Sequence, residues 1–239
     1  MEQNLLAIDS SSEGCSIALN IAGQCFTLVS EEPRTHARSL LPMIDKLLQE
    51  QQCPLSKLDA IALVHGPGSF TGIRIALSVA QGLAYGAKLP LIGLSSLRCL
   101  AERAIRHILP QAPVSFVCAI DARMQEVYWA VYDYDGEALT QSSAEAVSSY
   151  EQFNQAVAAL AKPVVGIGSA FALPEIELGC FESSYAELEP SAEALIQALE
   201  CEPDFNALTS TVMELEPLYL RNEVAWQKRQ RIRTKAPNF

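Results

Sequence analysis

The segment HGPGSFTGIRIALSVAQGLAYGA, from His65 to Ala87, joins a turn suited to close backbone approach to a run of small residues. Gly66 and Gly68 flank Pro67 in a tight turn, and Ser69 or Thr71 can cap the helix that follows. The free N–H groups of such a helix start attract anions, so the chemistry on offer is phosphate binding. A phosphate loop closes with Gly-Lys-Ser/Thr, however, and the stretch from Gly66 to Gly72 has no lysine; the nearest cation, Arg74, lies within the helix. A second candidate is Asp9-Ser10-Ser11-Ser12, where a carboxylate could reach a metal-bound phosphate while hydroxyl and N–H groups hold its oxygens. Gly14 comes only after Glu13, whose charge repels phosphate, and Asp and Ser serve equally well to close a hairpin on their own backbone. The two stretches together make a degenerate phosphate loop of Asp9, Ser10, Ser11, Gly66, Gly68 and Ser69.

Metal and nucleophile chemistry find less support. His36, His65 and His107 are isolated, with no H-x-x-x-H or H-E-x-x-H pair, and the seven cysteines are scattered without a C-x-x-C. No metal ligand and no catalytic residue is assigned, and the cysteines are expected to be free thiols in a reducing compartment.

The elements that must position these residues follow from periodicity. Leu5–Ile8, Cys15–Leu19 and Cys25–Val29 are apolar runs separated by turn residues such as Gly14 and Gly23 and predict a three-stranded meander. A helix from about residue 35 carries Leu40, Leu41, Ile44, Leu47 and Leu48 on one face, with Pro42 forcing a late start or a kink. Residues 59–65 form a buried strand, residues 71–86 a helix, residues 90–94 a strand and residues 95–107 a helix, giving the order βββαβα. The pattern then repeats: Ala7-Ile8-Asp9 is echoed by Ala119-Ile120-Asp121, and GPGS (66–69) by GIGS (166–169), which predicts duplication of one unit. This order resembles the actin-like ATPase architecture, an α/β fold of two similar domains with a cleft between them, and that fold is expected. The expected division is 1–107, a reduced second domain over 108–220 and a basic extension over 221–239.

The helix after the loop has Gly72, Ala76, Ala80 and Ala84 on one stripe and Ser78, Gly82 and Gly86 on another, nearly opposite. A glycine in a helix costs roughly 1 kcal/mol relative to alanine, so close packing on both sides is expected. One reading sets one side against the chain's own sheet and the other against a second polypeptide, with a partner face of Leu40, Leu41, Ile44, Leu47, Gly72, Ala76, Ser78, Ala80 and Gly82. The other packs both stripes inside the chain, beneath the helix at 95–107.

The net charge of −11 divides into +5 over residues 217–239 and −16 before them. An acidic body does not wrap nucleic acid. The basic tail is the exception, and Arg221, Lys228, Arg229, Arg231 and Arg233 are candidate nucleic-acid contacts on a partly helical extension. The N-terminus lacks a positive region, and the uncharged, apolar-rich stretch 75–87 is too short to span a bilayer; a cytoplasmic protein without membrane contact is expected.

The blocks AIDSSSEGCSIAL, HARSLLPMIDKLL, GPGSFTGIR, AIDARMQEVYWAVY and PLYLRNEVAW resemble, nearly end to end, the TsaB (YeaZ) family. The resemblance implies a non-catalytic actin-like subunit in the formation of N6-threonylcarbamoyladenosine at position 37 of tRNAs reading ANN codons. Its implied partners are the catalytic paralogue TsaD, which carries a metal-binding H-x-x-x-H, and with it the ATPase TsaE. On this reading the small-residue helix face is expected to make a homodimer when the chain is alone, the basic tail to touch tRNA only through the complex, and the chain to have no cofactor of its own, a nucleotide being possible only at a shared interface. An actin-like phosphotransferase, for which only Asp9 and Asp121 are available as carboxylates, and a peptidase of the glycoprotease family are the alternatives.

Overall fold

A computed structural model describes residues 3–30, 36–160, 163–202 and 204–221. Its first sheet begins with a meander of β1 (Leu5–Asp9), β2 (Cys15–Ile21) and β3 (Gln24–Ser30). Helix α1 (His36–Glu50), strand β4 (Ala60–Gly66), helix α2 (Phe70–Ala87), strand β5 (Leu91–Ser95) and helix α3 (Ser96–Ile108) follow. The helix α1 runs through Pro42 rather than starting after it.

The second sheet takes β6 (Val114–Arg123), β7 (Glu126–Tyr134), β8 (Leu139–Gln141) and β9 (Ala146–Ser149), then helix α4 (Tyr150–Ala158), β10 (Val164–Ile167) and β11 (Phe181–Tyr185). The chain described ends with helix α5 (Ala192–Glu200) and the two-residue strand β12 (Thr209–Ser210).

The strand orders are β12-β5-β4-β1-β2-β3 and β11-β10-β6-β7-β8, with β9 also paired to β7. In each sheet an antiparallel hairpin, β1–β2 or β6–β7, is followed on the hairpin's first strand by a parallel pair, β4–β5 or β10–β11. The duplication legible in the tripeptide echoes is therefore a duplication of topology, the actin-like ATPase fold. The second unit is reduced at one place above all. GPGS leads into the 18 residues of α2, whereas GIGS leads into a single 3-10 turn, Ser169–Ala172.

Alternation decides the layers. On the first sheet Leu6, Ile8, Ile17 and Leu19 face α1 and α2, while Leu5, Ala7, Ala18, Ala60 and Ala62 face α5 and the Cys99 side of α3. The alanines allow α5 to approach closely. The opposite face of α3, with Leu97, Leu100 and Ala104, packs on Phe116, Cys118 and Tyr132 of the second sheet. The helix α4 covers that sheet's other side through Phe153 and Val157. The expected division at 107/108 needs one correction: α5 and β12 return to the first sheet, where Leu195 and Leu199 join its core and Thr209 pairs with Ile92. All seven cysteines are free.

After β12 the chain crosses α2 as a strap. Gln81 Nε2 donates to Val212 O at 2.8 Å, His65 Nδ1 lies 3.0 Å from Glu216 O, and Leu218 N donates to His65 O at 2.8 Å. Burial pushes the His65 pKa down, so the neutral ring donates through Nδ1–H. The strap ends at Arg221, whose guanidinium pairs with Glu126 and reaches Ala122 O at 3.2 Å on the hairpin of the second sheet.

Candidate functional site

The two stretches of the degenerate phosphate loop meet, as a joint filled with protein. Asp9 Oδ1 accepts from Ser11 N at 2.8 Å, closing the β1–β2 turn on itself. Ser10 Oγ donates to Gly72 O at 2.8 Å, Ser69 N donates to Ser11 O at 2.7 Å, and Ser69 Oγ accepts from Gly72 N at 3.2 Å as the cap of α2. A Cβ on Gly68 would strike Ser11 O, one on Gly72 would strike Ser10 O, and one on Gly66 would lie 2.8 Å from Leu218 O. The glycines that give this loop its phosphate-like look serve backbone against backbone. The carbonyl oxygens of Ser10 and Ser11 face the loop at Gly72 and Gly68, and Ser69 N is spent on Ser11 O, which leaves the loop poorly suited to an anion.

The second unit repeats the joint. Asp121 Oδ1 accepts from Arg123 N at 2.8 Å, Ser169 Oγ accepts from Asp121 N at 3.2 Å, and a Cβ on Gly168 would meet Ala119 O at 2.5 Å. Asp9 and Asp121 therefore occupy equivalent positions, each closing its own hairpin.

Beside the first joint lies a cavity of about 370 Å³, lined by Asp9, Glu13, Glu187, Glu189 and Glu193 with Arg103 as the cation among its lining residues. Arg103 Nη1 donates to the backbone oxygen of Glu189 at 2.7 Å. Burial raises the Asp9 pKa to about 6; the Ser11 N–H opposes the rise, Glu189 adds to it and Arg103 subtracts from it. A cleft with this charge disfavours nucleotide phosphates. Among the described residues, no group of three or more His, Cys, Asp or Glu is placed to hold a metal ion.

The partner face expected from sequence divides. Leu40, Ile44 and Leu47 of α1, with Gly72, Ala76 and Ala80 of α2, are buried in the chain's own core and meet the first sheet, so they are corrected from partner contacts to core residues. Leu41, Ser78 and Gly82 are on the outer surface. Among the described residues, no atom outside the neighbouring helix backbone lies within 4 Å of a Cβ built on Gly82 or Gly86.

Sequence reasoning missed the aromatic side chains here: Phe70 is 60% exposed and Tyr85 is 76% exposed. Their signal was the spacing of Arg74, Ser78, Gly82 and Tyr85 along the outer side of α2. Arg74 lies 3.6 Å above the Phe70 ring and donates through Nε to Tyr219 Oη at 2.7 Å, walling one end of an open groove of about 430 Å³ between Ala37 of α1 and Ser78 and Val79 of α2.

Arg221, expected as a tRNA contact, is instead tied to Glu126. Lys228, Arg229, Arg231 and Arg233 lie outside the described residues. No described helix is long and apolar enough to cross a membrane.

Residues 30–226 match the family model described as TsaD: tRNA N6-adenosine threonylcarbamoyltransferase. The tRNA threonylcarbamoyladenosine biosynthesis protein TsaB of Escherichia coli is 38% identical over 94% of this chain and 97% of its own length. The chain belongs to the TsaB (YeaZ) family. Its Haemophilus influenzae member is 38% identical over 94% of this chain and 96% of its own length. YeaZ from Pseudomonas aeruginosa, a solved structure, superposes with a TM-score of 0.83 at 37% identity, covering 91% of this chain and all of that one. A second solved structure, described as an uncharacterized protein with similarity to peptidase YeaZ from P. aeruginosa, gives a TM-score of 0.80 at 36% identity over 92% of this chain and all of that one. Family membership thus covers both sheets rather than the first alone.

Proposed function

We propose that the chain is the non-catalytic subunit of the assembly that forms N6-threonylcarbamoyladenosine on tRNA, and that it presents the outer face of α1 and α2 to a TsaD-type catalytic paralogue. The observation that carries this reading is the pair of helix glycines, Gly82 and Gly86, where an added Cβ would meet no atom of the described residues, while exposed Leu41 and Tyr85 also mark this surface. Each glycine costs up to about 1 kcal/mol in a helix interior, and close approach by another polypeptide is what offsets it. Exposed aromatic and aliphatic side chains around such a strip supply the apolar centre of an interface. The filled phosphate joint and the acidic cleft support a subunit with no nucleotide of its own. Family membership supports the pathway; in this reading a TsaE-type ATPase joins through the paralogue, and tRNA is held by the complex rather than by this chain alone. In the absence of the paralogue the same face serves a homodimer.

The docking assignment is tested by Gly82→Leu. The isolated variant is expected to be folded and no less stable than the parent, because leucine is the better helix former at an exposed site. Association with the paralogue, read by sedimentation, is expected to weaken at least roughly 100-fold, the scale on which a disrupted interface centre acts. Normal association by the folded variant would place the contact elsewhere. Ala76→Trp is no test of the surface, since Ala76 is fully buried.

A further inference from the structure

We propose that the outer edge of β3 takes up an extended segment of a partner protein as a further strand of the first sheet, a segment that alternates apolar and basic side chains. The inference does not rest on the subunit reading. A strand at the end of a sheet offers unpaired N–H and C=O groups to another strand, and folded proteins blunt such edges with short strands, charges, proline or bulges. The other edges of this molecule follow that rule. β12 has two residues, β8 three and β9 four, while β11 carries Glu182 and a break in its register with β10. β3 has none of these devices. Its seven residues, Gln24–Ser30, include no charge, proline or glycine, and they pair with β2 without a break, while among the described residues no strand pairs with the other side.

The turn before β3 fixes which backbone groups are free. Ala22 and Gly23, both at positive φ, make a two-residue hairpin turn between the paired Ile21 and Gln24. The pair that closes such a turn is hydrogen-bonded and the pairs alternate from there. Gln24, Phe26, Leu28 and Ser30 therefore bond to β2, whereas the N–H and C=O groups of Cys25, Thr27 and Val29 point away from it. Side chains alternate as well. Phe26 and Leu28 are partly buried against the core under α1, and apolar side chains of an added strand would extend that core. On the opposite face Thr27 and Val29, the latter 67% exposed, line the cleft together with Glu193. Burial, and after it the charges of Glu193 and Glu200 on α5, push the Cys25 pKa up to about 11, both carboxylates standing beside this face of the edge. One face of the edge thus favours apolar side chains and the other favours cations, which the acidic body attracts from a distance. A second copy of the chain lacks that complementarity, since its own β3 is uncharged and it brings the same acids.

Fluorescence anisotropy of the full chain with a labelled peptide of alternating valine and lysine, as long as β3, tests the proposal. Saturable binding is expected, and in the complex the amides of Thr27 and Val29 should exchange with solvent roughly tenfold more slowly, because they become paired. Thr27→Pro removes an outward N–H where an edge strand tolerates proline, so the circular dichroism spectrum should be unchanged and the peptide should bind at least about tenfold more weakly. A second variant, Glu193→Gln with Glu200→Gln, leaves the edge intact; it should weaken the peptide by about tenfold in dilute buffer and reduce its salt dependence. A control peptide of the same composition, with its lysines in one block, should bind at least about tenfold more weakly than the alternating one. Three results overturn the proposal. One is no saturable binding below roughly 1 mM. Another is equal binding of the block peptide with no slowing at Thr27 and Val29, which would leave charge alone as the attraction. The last is a homodimer that Thr27→Pro turns into a monomer, which would give the edge to a second copy.

Discussion

Gly72→Val is expected to destabilise the isolated chain by about 3 kcal/mol or more, the range of severe overpacking against a wall that cannot yield. The wall is backbone: a Cβ at this position runs into Ser10 O, the oxygen of a turn that Asp9 and Ser11 hold closed, and meets the capping Ser69 Oγ at 3.1 Å. Relief requires lifting the first turn of α2 off the β1–β2 hairpin, which breaks the Ser10 and Ser69 hydrogen bonds together. Urea unfolding of the purified variant measures the cost. An unchanged midpoint would show that the joint is looser than its geometry. Gly82→Leu, ten residues on in the same helix, is expected to leave stability intact, so the contrast between the two separates packing inside the chain from packing against a partner.

Asp9→Asn is expected to act in the opposite direction. The native carboxyl, at about 6, titrates above its ordinary value of 3.8, so the fold favours the protonated form. That contribution is fully present below pH 3.8 and is lost as pH rises through 6, and by pH 7.5 the buried charge costs roughly 3 kcal/mol. Asparagine keeps an oxygen for the Ser11 N–H and carries no charge. The variant should gain about 2 to 3 kcal/mol at pH 7.5 and close to nothing at pH 4. Asp9→Ala should fall below Asp9→Asn at every pH, because it strands the buried N–H. A gain at pH 7.5 that persists unchanged at pH 4 would rule out charge burial as its source.

Much of this architecture was legible in the residues. Near-continuous apolar residues in 5–8 and 15–19 fit a sheet with both faces buried, and the paired Ala-Ile-Asp and G-x-G-S echoes declare its duplication, because both hairpins need the same turn and the same close approach. The outer side of α2 was harder. Periodicity shows that a helix has two small faces but not which one its own sheet covers, so Ala76 and Ala80 were grouped with Ser78 and Gly82 although they point to opposite sides. Phe70 and Tyr85 read as ordinary apolar residues until their exposure was visible. The return of α5 and β12 to the first sheet and the pairing of Arg221 with Glu126 join residues about a hundred positions apart, and nothing local in the chain encodes either partner.

The central claim is that this chain contributes a surface and not a reaction. Its most direct test is to measure ATP hydrolysis, peptide cleavage and tRNA threonylcarbamoylation with the purified chain alone, and then with TsaD-type and TsaE-type partners added. Alone, the chain should give no turnover above buffer in any of the three assays. With the partners it should restore tRNA modification, and Asp9→Asn should restore it equally well. Turnover by the isolated chain that disappears in Asp9→Asn would contradict the account and make the β1–β2 turn a catalytic site.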